Sequence, residues 1–225
     1  ILVKEKGYKG VIIPKDNVQE ASLIKGINII SVSTLKEVAD FISKGEVKLV
    51  NINPFFEEKN YSIDFSEVKG QALGKRGLEI AAAGGHNIIL IGSPGSGKSM
   101  LAKRMITILP PMSEEEIIES TKIYSVAGEL NSKKPIISQR PFRSPHHTSS
   151  LTSIIGGGKR IKPGEISLAS NGILLLDELA EFLRSVLESL RQPLEDGMVS
   201  ITRAQYRVEF LSTLRLLATI CLLYI

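Results

Sequence analysis

Gly92-Ser93-Pro94-Gly95-Ser96-Gly97-Lys98-Ser99 lies between an apolar run, Ile88-Ile89-Leu90-Ile91, and a segment with Met100, Leu101, Met105, Ile106 and Leu109 at helical spacing. A strand, a glycine-rich turn and a Lys-Ser pair opening a helix form a phosphate cradle. Glycines let backbone N–H groups converge on phosphate oxygens, and the helix N-terminus adds partial positive charge. In this reading Gly92, Ser93, Pro94, Gly95, Ser96 and Gly97 wrap the phosphates, Lys98 reaches the β- and γ-phosphates, and the Ser99 hydroxyl is a Mg²⁺ ligand. The chain reads as a binder of a nucleoside triphosphate.

Before the cradle, Leu73, Leu78, Ile80 and Ala81 predict a helix over Gln71–Ala83, closed by Gly84-Gly85. After it, Pro110-Pro111 stops the next helix, and Ser113 with Glu116 forms a capping box for another over Glu114–Ser125. The acidic first turn Glu114-Glu115-Glu116 suits that helix's dipole and is not read as a metal site. Residues 128–165 read as loop, carrying Arg140, Arg143, His146, His147, Lys159, Arg160 and Lys162 with almost no acid before Glu165. Adjacent histidines without nearby cysteine lack zinc spacing, so the expectation is a basic loop that contacts phosphate or a polyanion.

A second chemical signal follows. Ile173-Leu174-Leu175-Leu176 is an apolar run ending in Asp177-Glu178. Asp177, at a strand's C-terminal edge, can hold the Mg²⁺ shell near Ser99, and Glu178 can orient and deprotonate an attacking water. No Asn-Lys-x-Asp guanine-reading motif is present, and the pair of carboxylates favours hydrolysis, so the expectation is a P-loop ATPase. Asp177 follows Lys98 by more residues than a helix, a strand and a second helix need, which predicts an insert, with the basic loop as its site. Beyond it, Phe182, Val186, Leu187 and Leu190 form an apolar helix face. Asp196-Gly197 predicts a tight turn joining Gln192–Glu195 to the alternating Met198–Thr202 as a hairpin near the nucleotide face.

At the start of the chain, residues 1–50 read as a β-α-β-α unit. Its strands fall at Gly10–Ile13 and Ile27–Val32, with one helix capped by Asp16. A second helix opens on the Thr34/Glu37 capping box and buries Leu35, Val38, Ala39 and Ile42. Residues 51–60 have linker composition, and the second unit begins at Tyr61. Net charge is a mild +4, and Cys221 is the single cysteine, which excludes an internal disulfide framework and fits a reducing compartment. The chain opens on Ile1 with no signal peptide pattern, and its longest apolar run, Leu216–Ile225, is too short to span a bilayer. These features predict a cytoplasmic protein with no membrane partner, and a piece of a longer one.

Several longer motifs sharpen the reading: Gly84-Gly85-His86-Asn87, Arg140-Pro141-Phe142-Arg143-Ser144-Pro145-His146-His147-Thr148, Pro163-Gly164-Glu165-Ile166-Ser167-Leu168-Ala169 and Arg191-Gln192-Pro193-Leu194-Glu195-Asp196-Gly197. Together with the cradle they resemble the magnesium-chelatase-like AAA+ ATPases, in the YifB/ComM competence-protein branch, from about Lys4 to about Phe210. The resemblance implies an α/β fold: a P-loop AAA+ core with a parallel sheet and a helix-2 insert. Part of a small domain like ribosomal S5 or Lon protease would precede it over residues 1–50. It implies ATP and Mg²⁺ as cofactors, assembly into rings, usually hexamers, and a DNA-processing, branch-migration role in competence. The hairpins near Lys159, Arg160 and Lys162 and near Asp196-Gly197 would then face the pore or the neighbouring subunit, and pore-facing Lys and Arg would track a DNA backbone electrostatically.

The same resemblance exposes departures. Leu216-Leu217-Ala218-Thr219 stands at the family's next strand, but Ile220-Cys221-Leu222-Leu223-Tyr224-Ile225 replaces its Asn-Pro segment, and the family pattern is lost from Leu211. The expectation is a core truncated before its first sensor, arginine finger and lid, with impaired hydrolysis. Two other classes compete: the ATPase subunit of a magnesium chelatase, and a non-hydrolysing assembly or regulatory module. The Gly84–Asn87 and Arg140–Thr148 motifs and the extra N-terminal domain favour the ComM-type motor over the chelatase subunit, and ATP binding with ring formation but no turnover would point to the third class.

Overall fold

The computed structural model describes residues 1–44, 61–131, 134–158, 161–203 and 206–222. They fall into two units, one within residues 1–57 and 130–136 and the other within 58–129 and 137–225. The linker expected over 51–60 lies outside the described residues.

The first unit runs α1 (Leu2–Glu5), β1 (Gly10–Pro14), α2 (Val18–Ser22), β2 (Asn28–Val32) and α3 (Leu35–Lys44). β1 and β2 pair in parallel from Gly10↔Asn28 to Pro14↔Val32. The Thr34 hydroxyl accepts the Glu37 N–H at 3.3 Å, the half of the cap that its motif predicts, while the Glu37 carboxylate accepts the N–H of Ser33, one residue before the expected donor, at 2.9 Å. Two expectations fail. Asp16 lies in a 3-10 turn, Lys15–Asn17, and caps nothing. Leu35 is 84% and Ile42 74% exposed, and Ala39 is also exposed. Two five-residue strands give one helix too narrow a surface to cover a whole apolar stripe.

The second unit is built on β7 (Ile173–Leu176), each residue of which is 0% exposed. Ahead of it in the chain come α4 (Ala72–Gly84), β3 (Ile88–Gly92), α5 (Lys98–Ile108), α6 (Glu114–Ala127), β4 (Phe142–Arg143), α7 (Leu151–Ile155), β5 (Gly156–Gly157), β6 (Lys162–Pro163) and α8 (Glu165–Leu168). After it come α9 (Arg184–Ser189), α10 (Arg191–Asp196), β8 (Met198–Arg203), β9 (Tyr206–Leu211) and β10 (Arg215–Cys221). The main sheet is wholly parallel, in the order β3-β10-β7-β4, so the last of the described strands lies between two earlier ones.

Side-chain alternation along β7 divides the core. Ile173 and Leu175, with Leu217 of β10, pack under Leu78, Ala82, Leu101 and Met105 of α4 and α5. Leu174 and Leu176, with Ala218, pack against Ile154, Ile166, Phe182, Val186 and Leu190 on the opposite face. Fully burying a side chain of this size stabilises by about 1.5–3 kcal/mol, and a strand covered on both faces carries an unbroken apolar run.

The stretch expected as loop over 128–165 contains β4, α7 and the β5–β6 ribbon, and ends where α8 begins. The ribbon, Gly156↔Pro163 and Gly157↔Lys162, interrupts the helical path between α7 and α8 and forms the insert. A hairpin also forms after α10, but not around Asp196-Gly197. Arg191–Asp196 is helical, Gly197 (φ 67°) caps it in the left-handed region, and β8 pairs with β9 from Met198↔Leu211 to Arg203↔Tyr206. Asp-Gly suits a helix C-cap as well as a turn.

Arg140 is 8% exposed and inaccessible to a polyanion. Its guanidinium donates to the Glu116 carboxylate at 2.9 and 3.0 Å and to the carbonyls of Pro110, Pro111 and Asn171. Arg143 donates to Glu165 at 2.6 and 2.7 Å and to Glu129 at 3.3 Å. Both arginines fix structure, and their charge is matched by acids remote in sequence. Burial pushes the Glu116 carboxyl up, but the Arg140 hydrogen bonds and the Ser113 N–H outweigh it and hold it below its ordinary value. Arg140→Ala removes the hydrogen-bonded cation of that partly exposed carboxylate and should cost about 1.5–3 kcal/mol in urea unfolding. A depressed folded value means this stability is present above the unfolded carboxyl value and is lost as pH falls through the folded one. Glu116→Gln should therefore flatten the acid limb of the stability–pH curve.

Candidate nucleotide-binding site

Parallel strands place ligands at their carboxyl ends, and the two chemical motifs meet there. β3 ends at Gly92 and α5 begins at Lys98, so Ser93 to Gly97 make the turn between them. Gly95 (φ 74°) and Gly97 (φ 83°) occupy the left-handed region, and a Cβ on Gly97 would meet Met100 at 3.3 Å. The chain can fold tightly here because these positions lack side chains. Gly97 is the N-cap of α5 and offers no side chain to its first N–H groups, which suits an anion in that place.

Lys98 is 8% exposed, and its ammonium folds into the turn. It donates to the Gly92 carbonyl at 2.9 Å, the Ser93 carbonyl at 2.7 Å and Ser96 Oγ at 3.3 Å. A buried cation held by neutral oxygens exchanges them favourably for phosphate oxygens.

The Ser99 hydroxyl donates to Asp177 Oδ1 at 2.8 Å, across 78 positions of sequence. The hydroxyl and the carboxylate expected to share a Mg²⁺ shell are therefore in direct contact. Glu178 follows with an exposed side chain, in the left-handed region (φ 58°, ψ 56°). That conformation costs a non-glycine residue about 1–3 kcal/mol and is kept only where neighbours enforce it. A lysine and a helix N-terminus at one turn, with a Ser-Asp pair that joins it to the end of β7, are a donor set that fits Mg·ATP.

Lys159 and Arg160 lie outside the described residues. Lys162 is exposed on β6, with its ammonium donating to the Ala127 carbonyl at 3.0 Å. His146 and His147 stack on each other, centroids 4.0 Å apart, and His147 meets Phe182 edge-on.

A family model described as magnesium chelatase, subunit ChlI, matches residues 64–222, well over half of the chain. Competence protein ComM of Haemophilus influenzae is 44% identical over 97% of this chain and 44% of its own length. The chain belongs to the magnesium-chelatase-like AAA+ ATPases, ComM/YifB branch. An uncharacterized YifB protein of Escherichia coli is 44% identical over 95% of this chain and 42% of its own. An uncharacterized Mycobacterium tuberculosis protein (strain H37Rv) is 40% identical over 90% and 41% respectively. The chain thus spans less than half the length of these relatives. Among solved structures, NtrX from Brucella abortus in complex with ADP overlaps at a TM-score of 0.46 and 18% identity, over 70% of this chain and 31% of that one. Among the described residues, no helix is long and apolar enough to cross a membrane.

Two residues of this AAA+ site carry no motif signal. Gln71 stands before α4 in the left-handed region (φ 54°), and its Nε2 donates to the Ser96 carbonyl at 2.8 Å, bracing the turn from outside. Thr219, near the end of β10, touches both acidic residues. Nothing local marks a glutamine or a threonine for such work. Only the sheet order brings Thr219 there. Gln71→Ala removes one hydrogen bond worth about 1 kcal/mol. Isothermal titration should read this as roughly fivefold weaker ATP affinity, with the overall fold unchanged.

Proposed function

We propose that this chain is the ATP-binding core of a ring-forming, DNA-processing motor of the ComM type, with ATP hydrolysis assigned to Glu178. The observation that carries the reading is the Ser99–Asp177 contact at 2.8 Å. It supports a single Mg·ATP site assembled from the turn Gly92–Ser99 and the pair Asp177-Glu178.

The residue roles follow from their chemistry. Backbone N–H groups of the turn and the α5 N-terminus bind phosphate oxygens, and Lys98 neutralises the β- and γ-phosphates. Ser99 and Asp177 hold the shell of Mg²⁺, which when bound offsets charge on the triphosphate. Glu178, exposed beside them, orients a water and takes its proton. Ile220-Cys221-Leu222-Leu223-Tyr224-Ile225 stands where the family resemblance puts an Asn-Pro segment, so slow turnover is expected. Single-turnover assays are the suitable measurement. Glu178→Gln should keep ATP affinity within about threefold while the hydrolysis step falls about 10²-fold or more. Equal rates in the two proteins would overturn the assignment.

The motor reading, as opposed to a chelatase subunit, is supported by the relatives. ComM and YifB match over 90% or more of this chain, including residues before position 64, where the chelatase model begins. A ring of such subunits would present Lys159, Arg160 and Lys162 to DNA as backbone contacts. Replacing all three by Ala should weaken binding to DNA of any sequence and lower the salt slope of log K by up to about three, measured by fluorescence anisotropy. Unchanged binding would move the DNA contact elsewhere.

A further inference from the structure

The register of the main sheet isolates one residue that neither the nucleotide turn nor the acidic pair contains. β10 pairs with β7 through Ala218↔Leu176, and there that ladder stops. The next residue on each strand is Thr219 and Asp177. Thr219 is 1% exposed and follows two wholly apolar buried neighbours, Leu217 and Ala218. An apolar residue would extend that run. A hydroxyl there needs partners.

It finds both on the acidic pair. Thr219 Oγ1 donates to Asp177 Oδ1 at 2.6 Å and accepts the Glu178 N–H at 2.9 Å. The first bond falls on the same carboxylate oxygen that accepts from Ser99 at 2.8 Å. Two hydroxyls from two strand-and-turn segments thus fix the rotation of one carboxylate and leave Oδ2 unused by either bond. The second bond takes up the backbone N–H that leaves the ladder when Glu178 turns into the left-handed region at φ 58°. One side chain therefore aims Asp177 and holds the turn that presents Glu178.

We infer that Thr219 is a positioning residue for the Mg²⁺ of the nucleotide site, acting through Asp177 and the Glu178 backbone. The inference rests on the Mg·ATP reading above and deepens it. Groups that orient a metal-binding carboxylate typically change metal affinity by 10–100-fold when removed.

The test compares fluorescent ATP-analogue binding to the full chain with Mg²⁺ and with EDTA. Thr219→Val keeps volume and β-branching and deletes only the hydroxyl. It should bind the Mg²⁺-free analogue within about twofold of wild type, while the affinity gained on adding Mg²⁺ drops about tenfold or more. Hydrogen exchange at the Glu178 amide should speed up. Thr219→Ser, which keeps the hydroxyl, should restore both. Mg²⁺-free binding by Thr219→Val also reports that the cradle is folded; should that variant not fold, Thr219→Ala against Thr219→Ser gives the same comparison. If wild type gains affinity with Mg²⁺ and Thr219→Val gains as much, the role of Thr219 is overturned and the Mg·ATP reading stands. If wild type binds no analogue, or binds it without regard to Mg²⁺, that reading falls and this inference with it.

Discussion

The constraint on which the second unit depends is the seating of β10 between β3 and β7. Neighbouring strands lie about 4.8 Å apart, so this insertion sets the ends of β3 and β7 about 10 Å from each other. A serine on the helix after one can then meet an aspartate after the other. Leu217 and Ala218 of β10 are 0% exposed and belong to opposite faces, so one strand ties the two layers of core together. Its register with β3, Leu217↔Ile88 through Cys221↔Gly92, fixes where the turn begins. The Asn87 carboxamide oxygen, accepting the Leu216 N–H at 2.8 Å, anchors the other end of that pairing.

Around this frame, rigidity and strain are distributed unevenly. The apolar layers are fully buried, whereas two of the non-glycine residues at positive φ, Gln71 and Glu178, stand with Gly95 and Gly97 about the carboxyl ends of the strands, and a third, Asn171, is buried just before β7. Each is braced by a hydrogen bond or sits next to a residue that is: Gln71 to Ser96, Lys98 to Gly92 and Ser93, Glu178 to Thr219. A site held in unfavourable backbone geometry needs such over-determination, and the buried sheet supplies the fixed points for it.

What the sequence made legible was local chemistry of short range. The turn Gly92–Ser99, the strand before Asp177 and the capping box at Ser113 and Glu116, which forms with both of its hydrogen bonds, depend on neighbours a few residues away. The fold class was legible through the family resemblance that these short motifs carry. Illegible features depend on distant pairing. Arg140 and Arg143 read as free cations because Glu116, Glu129 and Glu165 are 14 to 24 positions away. Asp196-Gly197 read as a hairpin turn because α10 is only six residues long and carries Pro193, which masks a segment otherwise made largely of helix formers. Thr219 looked like another β-branched strand residue, and its meaning exists only through a partner 42 positions earlier.

The central place of β10 also has a kinetic meaning. Its pairing with β3 joins residues about 130 positions apart, as the Asn87–Leu216 bond illustrates with a separation of 129. Such contacts close long loops and form late in folding. During synthesis the turn and the acidic pair leave the ribosome well before the strand that brings them together. Until that strand docks, β3 and β7 present unpaired parallel edges, with Leu174, Leu176, Ile88 and Leu90 uncovered, and such edges promote association between chains. The nucleotide site is thus completed only when β10 docks, and the same event covers the exposed edges of β3 and β7.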